Sequence, residues 1–493
     1  MRAVVFTGAY EHLGIEQLSA CLKQAGHETF LVFDNRFFAD GLLDQPQLAK
    51  LFNPSIAQLA RKIADFKPDM ALFSPYTDTV LRDLAVCRAI KKLSPAIVTV
   101  FGGMHATAVP ERLMCDPAVD FVCVGEGEGA LIDLMQHLEQ DSPCTGTLQR
   151  APTVDIPNLW YKQGRKIFSS SPRPHIQDLD SLPFPDKKLF FDHVPQFSRY
   201  WRTITGRGCP YNCSFCCHST LEKIYGRCKP RRRSVSHVLE ELSKAKLEFS
   251  TQAVIFEDDL FAYDKAWLAE FAGRYPQEVG LPYQCTAYPT LDGQTIELLR
   301  KSGCRFVEIG VQTWNGKVRR EFLNRHETNE QISSTLRLLS DSGMHFNIFH
   351  ITGIPGVKTE SEIHSALKYT HFKPCFIHCV ELTYYPGTAA AELAESCGAV
   401  CRKDLESIAS GHVQSYERHS QKSEDAAKLM ALVPLLPRPL LKWLVGSPVL
   451  RLLPGSSVLK IISALIQFLR SRASYSMRIF PLHYLRMLGL RGP

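Results

Sequence analysis

Four cysteines crowd one short stretch of the chain, TGRGCPYNCSFCCH at residues 205–218. They are Cys209, Cys213, Cys216 and Cys217, and the first three follow the spacing C-x3-C-x2-C. Glycine, proline and asparagine between them favour turns, so we expect the thiols on one tight loop. Three thiolates so arranged are typical ligands of an iron–sulfur cluster and leave one iron of a four-iron cluster open. A zinc site completed by Cys217 or His218 is the alternative, although its usual ligand spacings differ.

The cysteine stretch lies near the start of a long alternation of apolar runs and amphipathic segments over residues 201–410. The predicted strands are Trp201–Thr205, Ala253–Glu257, Tyr283–Thr286, Phe306–Gln312, Phe346–Ile351 and Phe376–Leu382. Six βα units are too few for an eightfold barrel and predict a partial, six-stranded parallel barrel. The cysteine loop follows the first strand, which places it at the carboxyl ends of the strands, where such folds carry their sites.

This loop and its position resemble the cysteine motif of the radical S-adenosylmethionine superfamily. Further segments that resemble the family follow in its order: FEDD at 256–259, EIGVQ at 308–312, TGIPG at 352–356 and YPGT at 385–388. The resemblance implies that Cys209, Cys213 and Cys216 bind a 4Fe–4S cluster. It also implies S-adenosylmethionine contacts from Glu257, Asp258, Glu308, Gln312 and Gly353. Taken singly, each segment has a simpler interpretation, such as a helix cap at Asp258 or a turn at Gly353.

Residues 1–140 alternate predicted strands and helices in the same way. This pattern predicts a doubly wound parallel α/β sheet that binds ligands beyond the carboxyl ends of its strands. Gly102-Gly103 and Gly125-Glu126-Gly127 each follow a predicted strand. The missing side chains there permit the close approach of a large planar ligand.

This first region resembles the flavodoxin-like cobalamin-binding domain that precedes many radical enzymes of this kind. The matching segments include HLGI at 12–15, GGMHAT at 102–107, GEGE at 125–128 and LPFPD at 182–186. The resemblance implies cobalamin contacts from Gly102, Gly103, His105, Gly125 and Glu126. The chain lacks the Asp-x-His-x-x-Gly motif whose histidine ligates cobalt in some cobalamin proteins. A flavodoxin-like module that binds no corrin is therefore the alternative.

The remaining segments predict a connection and an extension. Residues 141–200 are rich in proline and predict a linker with a short β-hairpin at Leu159–Phe168. Residues 411–493 predict a helical, basic extension, in which 432–493 hold nine Lys and Arg residues and no acid. Its pattern is typical of an interfacial helix on anionic lipid, and a helix packed on the barrel is the alternative. The stretch Val458–Leu469 is shorter than the roughly 18–20 residues that span a membrane.

Composition limits the class of protein. Of 493 residues, 45% are hydrophobic and 22% charged, and the mean hydropathy is -0.10, which excludes disordered, collagen-like and polytopic membrane proteins. The N-terminal apolar run is too short for a signal-peptide core, so we expect a cytoplasmic protein with reduced thiols, at most peripheral on a membrane. Residues 1–431 are nearly neutral in net charge, which argues against nucleic-acid binding by this part of the chain.

The order of the regions predicts a cobalamin-dependent radical S-adenosylmethionine enzyme. In the family that it resembles, a 5′-deoxyadenosyl radical removes hydrogen from an unactivated carbon. We expect methyl transfer to such a carbon of a hydrophobic, natural-product or lipid-like substrate, with flavodoxin or ferredoxin as the electron donor. The alternatives are an anaerobic oxidative cyclase or another radical rearrangement with the same cofactors, and a non-catalytic corrin-binding sensor or carrier.

Overall fold

The computed structural model describes residues 1–8, 10–36, 46–140, 155–227, 229–413 and 421–478. These residues form two compact units, each built on its own sheet. The first unit contains the described residues of 1–195, 216–228 and 384–416, and the second those of 196–215, 229–383 and 417–493. The predicted α/β class is confirmed in both units.

The first unit is built on a seven-stranded sheet in the order β2-β1-β3-β4-β5-β6-β7. Its strands are β1 Arg2–Gly8, β2 Glu28–Asp34, β3 Met70–Phe73, β4 Val98–Phe101, β5 Phe121–Cys123, β6 Leu159–Gln163 and β7 Lys166–Ser169. Strands β1 to β5 pair in parallel, in the 2-1-3-4-5 order of flavodoxin-like sheets. Every residue of β3, β4 and β5 is buried, as continuous apolar runs in a parallel sheet require. The predicted doubly wound sheet is confirmed.

The hairpin predicted within the linker is present as β6 and β7, and it also forms part of the first sheet. Strand β6 pairs antiparallel with β5, and Tyr161 lies opposite Phe121. Leu159 and Tyr161 are buried, whereas the residues between and after them are half-buried, so one face of the hairpin packs inward. The hairpin therefore extends the first sheet beyond β5.

Eleven helices of the first unit lie in its described residues, and their ends follow local sequence signals. They are Leu13–Gln24, Pro46–Phe52, Ile56–Asp65, Val80–Leu93, Gly103–Ala108, Pro110–Met114, Glu128–Gln140, Lys188–Phe191, His218–Tyr225, Ala389–Ser396 and Arg402–Ala409. A short 3₁₀ helix spans Leu179–Ser181, and another, Pro195–Arg199, begins at the last residue of the 1–195 segment and continues into the second unit. The side chains of Ser55 and Gln58 form a capping box that begins the third helix. Gly26, at φ +87°, follows the first helix in the conformation that ends helices.

A buried cation fastens the end of the linker to the helix Leu13–Gln24. Lys187 Nζ donates to Glu11 Oε1 at 2.7 Å and to Glu16 Oε2 at 2.6 Å, and all three residues are buried. Beside them, Asp186 accepts a hydrogen bond from the Ser19 hydroxyl at 2.6 Å. Sequence reasoning reached the neighbouring LPFPD segment but not this ion cluster.

The second unit contains six parallel strands that neighbour one another in chain order, β8-β11-β12-β13-β14-β15. They are β8 Tyr200–Thr203, β11 Ala253–Phe256, β12 Tyr283–Ala287, β13 Cys304–Gln312, β14 His345–Thr352 and β15 Phe376–Glu381; β9 Gly206–Arg207 and β10 Arg231–Arg232 form a separate short pair. The helices between them are Val235–Phe249, Lys265–Glu278, Gly293–Lys301, Gly316–Glu321, Asn329–Asp341 and Thr359–Tyr369. This alternation confirms the predicted six-stranded βα architecture.

The predicted C-terminal extension is helical over its described part and packs against the second sheet. Its helices are Gln421–Leu432, Arg438–Leu444, Val449–Leu452 and Ser456–Leu469; residues 414–420 and 479–493 lie outside the described residues. Tyr475 packs with Ala253, Ile255 and Phe306 of the sheet. Throughout the described residues, every helix is too short or too polar to cross a bilayer.

Candidate active site

The cysteine-rich loop begins directly after β8, as predicted. Cys213 is buried, and Cys209 and Cys216 are half-buried. No disulfide joins any of the described cysteines. The ligand atoms of Cys216, Cys217 and His218 lie within 4.8 Å of one another. This group includes one of the three predicted cluster cysteines, Cys216, and its other two members are the residues that the alternative zinc site would use.

Residues 322–325, here named the loop clamp, hold the backbone of the cysteine loop. Ser214 donates through its backbone N–H and its hydroxyl to two clamp carbonyl oxygens, at 3.1 and 2.5 Å. Asn324 Nδ2 donates to the Asn212 carbonyl oxygen at 2.6 Å. These bonds fall on both sides of Cys213, so the clamp holds the backbone that carries this thiol.

An aromatic and cationic stack supports the same loop. The rings of Tyr211 and Tyr288 are parallel within 9° and their centroids are 3.9 Å apart. The Arg325 guanidinium lies 4.3 Å from the Tyr288 centroid and donates to Glu327 Oε1 at 2.8 Å. Burial lowers the pKa of Arg325, but Cys213, Tyr288 and Glu327 together raise it. The buried guanidinium thus lies close enough to Cys213 for the two groups to interact electrostatically.

Asp258 anchors the first residue of the loop. Its two carboxylate oxygens accept from the Thr205 backbone N–H at 3.0 Å, and one accepts from the Thr205 hydroxyl at 2.7 Å. Burial raises the pKa of Asp258 to about 6, although Arg232 and the bonds from Thr205 lower it. The adjacent Glu257 is exposed and pairs with Arg202 at 2.9 Å. Both predicted cofactor-side residues therefore have partners within the protein.

Glu308 differs, because one of its carboxylate oxygens lacks a hydrogen-bond partner in the part of the chain that the structure describes. Its Oε1 accepts from Gln284 Nε2 at 3.2 Å and from Asn347 Nδ2 at 3.0 Å, which ties β13 to both neighbouring strands. Its Oε2 is buried, and among the described residues it has no hydrogen-bond partner in good geometry; His378 Nε2 lies 3.7 Å from it, and the nearby Ser474 hydroxyl lowers the pKa of Glu308. Burial raises the pKa of Glu308 to about 7. A buried acceptor without a donor is the kind of group that a bound ligand satisfies.

Two predicted residues at the carboxyl ends of β13 and β14 have left-handed backbone. Gln312 has φ +65°, a conformation costly for a residue with a side chain. Gly353 has φ +73°, and a Cβ there would lie 3.2 Å from Glu381 Cγ. Its N–H donates to Glu362 Oε1 at 3.1 Å, and burial raises the pKa of Glu362 to about 7. The two carboxylates beside Gly353 belong to no motif and were missed from the sequence.

In the first unit, Gly103 lies at the carboxyl ends of the strands, as predicted. It has φ +81°, and a Cβ would lie 2.6 Å from Ser74 Oγ. His12 Nδ1 accepts the Ile15 N–H at 3.4 Å, so Nε2 carries the hydrogen and donates to Ser74 Oγ at 3.2 Å. Beside it, Gly102 would place a Cβ 3.8 Å from its nearest neighbour, in ordinary contact. The chain itself thus requires glycine at 103 but not at 102, and the open position suits a close ligand.

The other residues predicted on the cobalamin side have partners within the first unit. His105 Nδ1 lies 3.1 Å from Thr77 Oγ1, and burial, with Arg112, lowers the pKa of His105 to about 4. Glu126 Oε2 accepts the Ile176 N–H at 2.9 Å. Gly125, at φ +83°, makes room for Tyr225, whose Oη lies 1.7 Å from where a Cβ would be. These three residues support the local fold, and Tyr225 was missed because it is remote in sequence.

Models of two known families match the two regions. The B12 binding domain matches residues 2–135, and the Radical SAM superfamily matches residues 203–369. The chain is a radical SAM enzyme with a B12 binding domain. This assignment favours the enzyme interpretation over a corrin-binding sensor with a zinc site.

Relatives of this radical SAM enzyme carry more than one activity. An uncharacterized methyltransferase of Pyrococcus horikoshii is 29% identical over 353 residues, 69% of this chain and 72% of that protein. An anaerobic magnesium-protoporphyrin IX monomethyl ester cyclase of Rubrivivax gelatinosus is 25% identical and covers 62% of this chain and 54% of its own. The fold is similar to that of the radical S-adenosylmethionine methyltransferase TsrM from Kitasatospora setae with cobalamin and a 4Fe–4S cluster bound. That similarity has a TM-score of 0.61 at 18% identity and covers 81% of this chain and 78% of TsrM.

The predicted cofactor set, a 4Fe–4S cluster, S-adenosylmethionine and cobalamin, is the set that these two families imply. The cysteine loop offers three thiols, from Cys209, Cys213 and Cys216, as ligands for the cluster. Gly353 fits a ligand at the carboxyl ends of the second sheet, and Glu308 offers a buried carboxylate midway along β13. The open position at Gly102 fits a ligand at the first sheet.

Proposed function

We propose that this radical SAM enzyme transfers a methyl group to an unactivated carbon of a hydrophobic or natural-product substrate. The observation that carries the proposal is the pairing, on one chain, of a C-x3-C-x2-C loop after β8 with a flavodoxin-like B12 binding domain. When bound, the cluster and S-adenosylmethionine supply hydrogen-abstracting chemistry, and cobalamin supplies a transferable methyl group. The Pyrococcus relative, a methyltransferase by name, supports this choice.

The chain's own residues divide into those that would touch the cofactors and those that position them. In our proposal Cys209, Cys213 and Cys216 bind the cluster, Glu308, Gln312 and Gly353 contact S-adenosylmethionine, and Gly102 and Gly103 approach the corrin. Asp258 and Glu257 then position the loop and β8, because their carboxylates already bind Thr205 and Arg202. His105, Gly125 and Glu126 position the carboxyl ends of β4 and β5 in the same way.

The cluster cysteines are tested by a pair of neighbouring substitutions. Cys216→Ala should lower the iron bound after anaerobic reconstitution and abolish cleavage of S-adenosylmethionine. Cys217→Ala, one residue away and outside the C-x3-C-x2-C spacing, should keep both. Equal loss in the two variants would contradict the assigned ligand set.

Corrin binding is tested at Gly102. Among the described residues, the nearest atom to a Cβ there is 3.8 Å away, so Gly102→Ala should leave the thermal unfolding of the chain unchanged. If a corrin approaches this backbone, the same methyl group should lower the amount of cobalamin retained through gel filtration. Full retention in Gly102→Ala would remove Gly102 from the proposed contact.

Methyl transfer is distinguished from cyclisation by the products of S-adenosylmethionine. Methyl transfer with hydrogen abstraction yields both S-adenosylhomocysteine and 5′-deoxyadenosine, whereas a cyclase yields 5′-deoxyadenosine alone. The cyclase is retained as the second candidate because the Rubrivivax relative carries that name. Assays with candidate apolar substrates and with flavodoxin or ferredoxin, the reductants that we propose, should give the two products together. A product mixture without S-adenosylhomocysteine would favour the cyclase.

A further inference from the structure

The helix Ser456–Leu469 is inverted compared with an ordinary surface helix. Its buried positions are Ser456, Leu459, Ser463 and Gln467, three of them polar. Its exposed positions include Val458, Ile462, Leu465, Phe468 and Leu469, which are between 39% and 82% exposed. A surface helix that packs only on its own protein turns its apolar face inward. The exposed apolar face of this helix therefore indicates a surface that binds a partner.

Polar contacts fix the helix in this orientation. Lys460 Nζ donates to the carbonyl oxygen of Cys379 in β15 at 2.6 Å. At the start of the helix, Glu424 accepts from the Ser456 N–H at 2.5 Å and from its hydroxyl at 2.7 Å. A rotation that buried the apolar face would break all three bonds. The exposure of that face is thus a property of how the helix is held.

The exposed apolar residues form a continuous stripe. Val458, Ile462, Leu465 and Leu469 recur at intervals of three and four residues, which places them on one face over three turns. Phe468 lies at the edge of the same face and is 45% exposed. Contiguous apolar surface of this kind marks an interaction site in soluble proteins. We name these five residues the outer stripe.

The charges around the outer stripe select the kind of partner. Between residues 432 and 478 the chain carries Lys and Arg but no Asp or Glu. Arg470 and Arg472, directly after the stripe, are exposed, as are Arg438, Lys442 and Arg451 before it. An apolar stripe with only cations near it in sequence matches a surface that is anionic outside and apolar inside. A neutral or cationic protein surface would not satisfy both features.

We propose that the outer stripe docks on the surface of a bilayer containing anionic phospholipid, with Arg470 and Arg472 at the headgroups. The helix lies in the interface and does not cross the membrane, in keeping with its 14 residues. The contact does not depend on the reaction proposed above, because it uses only residues of the C-terminal extension. It would bring the enzyme to apolar substrates held in the membrane.

The experiment is flotation of the full-length chain with two kinds of vesicle, one of phosphatidylcholine alone and one of phosphatidylcholine mixed with phosphatidylglycerol. The chain should float only with the anionic vesicles. Replacing Ile462, Leu465 and Phe468 with serine should lower the partition constant by about 100-fold or more, since each loses most of its apolar surface. Arg470→Gln with Arg472→Gln should lower it by about 25-fold, or roughly fivefold per cation.

The matched control is Leu247→Ser, at a residue that is 83% exposed on the helix Val235–Phe249. It should change the partition constant by less than about twofold. Failure of the unmodified chain to float with anionic vesicles would overturn the proposal. So would a serine triple variant that floats as well as the unmodified chain. A dimer in light scattering that the triple variant converts to monomer, without any vesicle binding, would assign the stripe to a second copy of the chain and equally overturn it.

Discussion

Replacing Lys187 with methionine should loosen the first unit where the linker meets the helix Leu13–Gln24. Lys187 is 2% exposed, and its ammonium group binds Glu11 at 2.7 Å and Glu16 at 2.6 Å. Methionine keeps most of the side-chain volume but leaves two buried carboxyl groups without a cation. Removing one partner of a buried ion pair costs about 3–5 kcal/mol. We expect the free energy of unfolding of the first unit to fall by this amount.

The loss should depend on pH in a definite direction. Burial raises the pKa of Glu16 well above its usual value, and Lys187 offsets only part of this effect. A carboxyl group with a raised pKa in the folded state favours folding below its unfolded pKa of about 4.3, and this contribution is lost as the pH rises through the folded value. Without Lys187 the folded pKa rises further. The deficit of Lys187→Met should therefore be larger at pH 8 than at pH 5.

Amide hydrogen exchange in the helix Leu13–Gln24 is the appropriate measurement, because two units need not unfold in one transition. A loss of about 3–5 kcal/mol speeds exchange by roughly two to four powers of ten. Lys188→Met, at the exposed neighbouring residue, is the control and should change exchange little. Adding Glu16→Gln to Lys187→Met should recover part of the loss. Equal exchange in the two lysine variants, or the same deficit at both pH values, would refute this reasoning.

Three further outcomes follow from the contacts of the site. Asn324→Gly keeps the left-handed backbone but removes the bond to Asn212, so release of reconstituted iron to a chelator should become about fivefold to tenfold faster. Because the pKa of Glu308 is raised to about 7, its ionisation should lower the free energy of unfolding by up to about 3 kcal/mol between pH 5 and pH 8. Glu308→Gln should remove this decrease. Chemical denaturation of both proteins at the two pH values measures the difference. Gly125→Ala should destabilise the first unit by about 3 kcal/mol, and Tyr225→Phe should restore part of this in a double-mutant cycle, because the clash is with the tyrosine oxygen.

Local sequence patterns were enough to predict most of the architecture. Continuous apolar runs such as Met70–Phe73 and Val98–Phe101 become buried parallel strands because nothing polar interrupts them. The cysteine spacing is equally local, since three thiols on one loop need no distant partner to be recognised. The pairing of the predicted hairpin with β5 was not predicted, because an edge strand is chosen by the surface that it covers.

The structure decided how the predicted site residues are used. The sequence places Asp258 directly after a predicted strand and Glu308 within one. Only the folded chain engages both oxygens of Asp258 and leaves one oxygen of Glu308 without a hydrogen-bond partner among the described residues. The loop clamp and Tyr288 each lie more than 70 residues along the chain from the loop residues that they contact, and no sequence motif identifies them.

The sequence by itself determined the two-region α/β plan, the cysteine loop and the basic C-terminal extension, because these depend on periodicity, spacing and composition within short windows. Tertiary structure alone decided which polar groups are satisfied, which glycines the fold requires, and which face of the helix Ser456–Leu469 points outward. The physical reason is that burial and hydrogen-bond satisfaction are properties of pairs of residues brought together by folding, and a single sequence does not state those pairs.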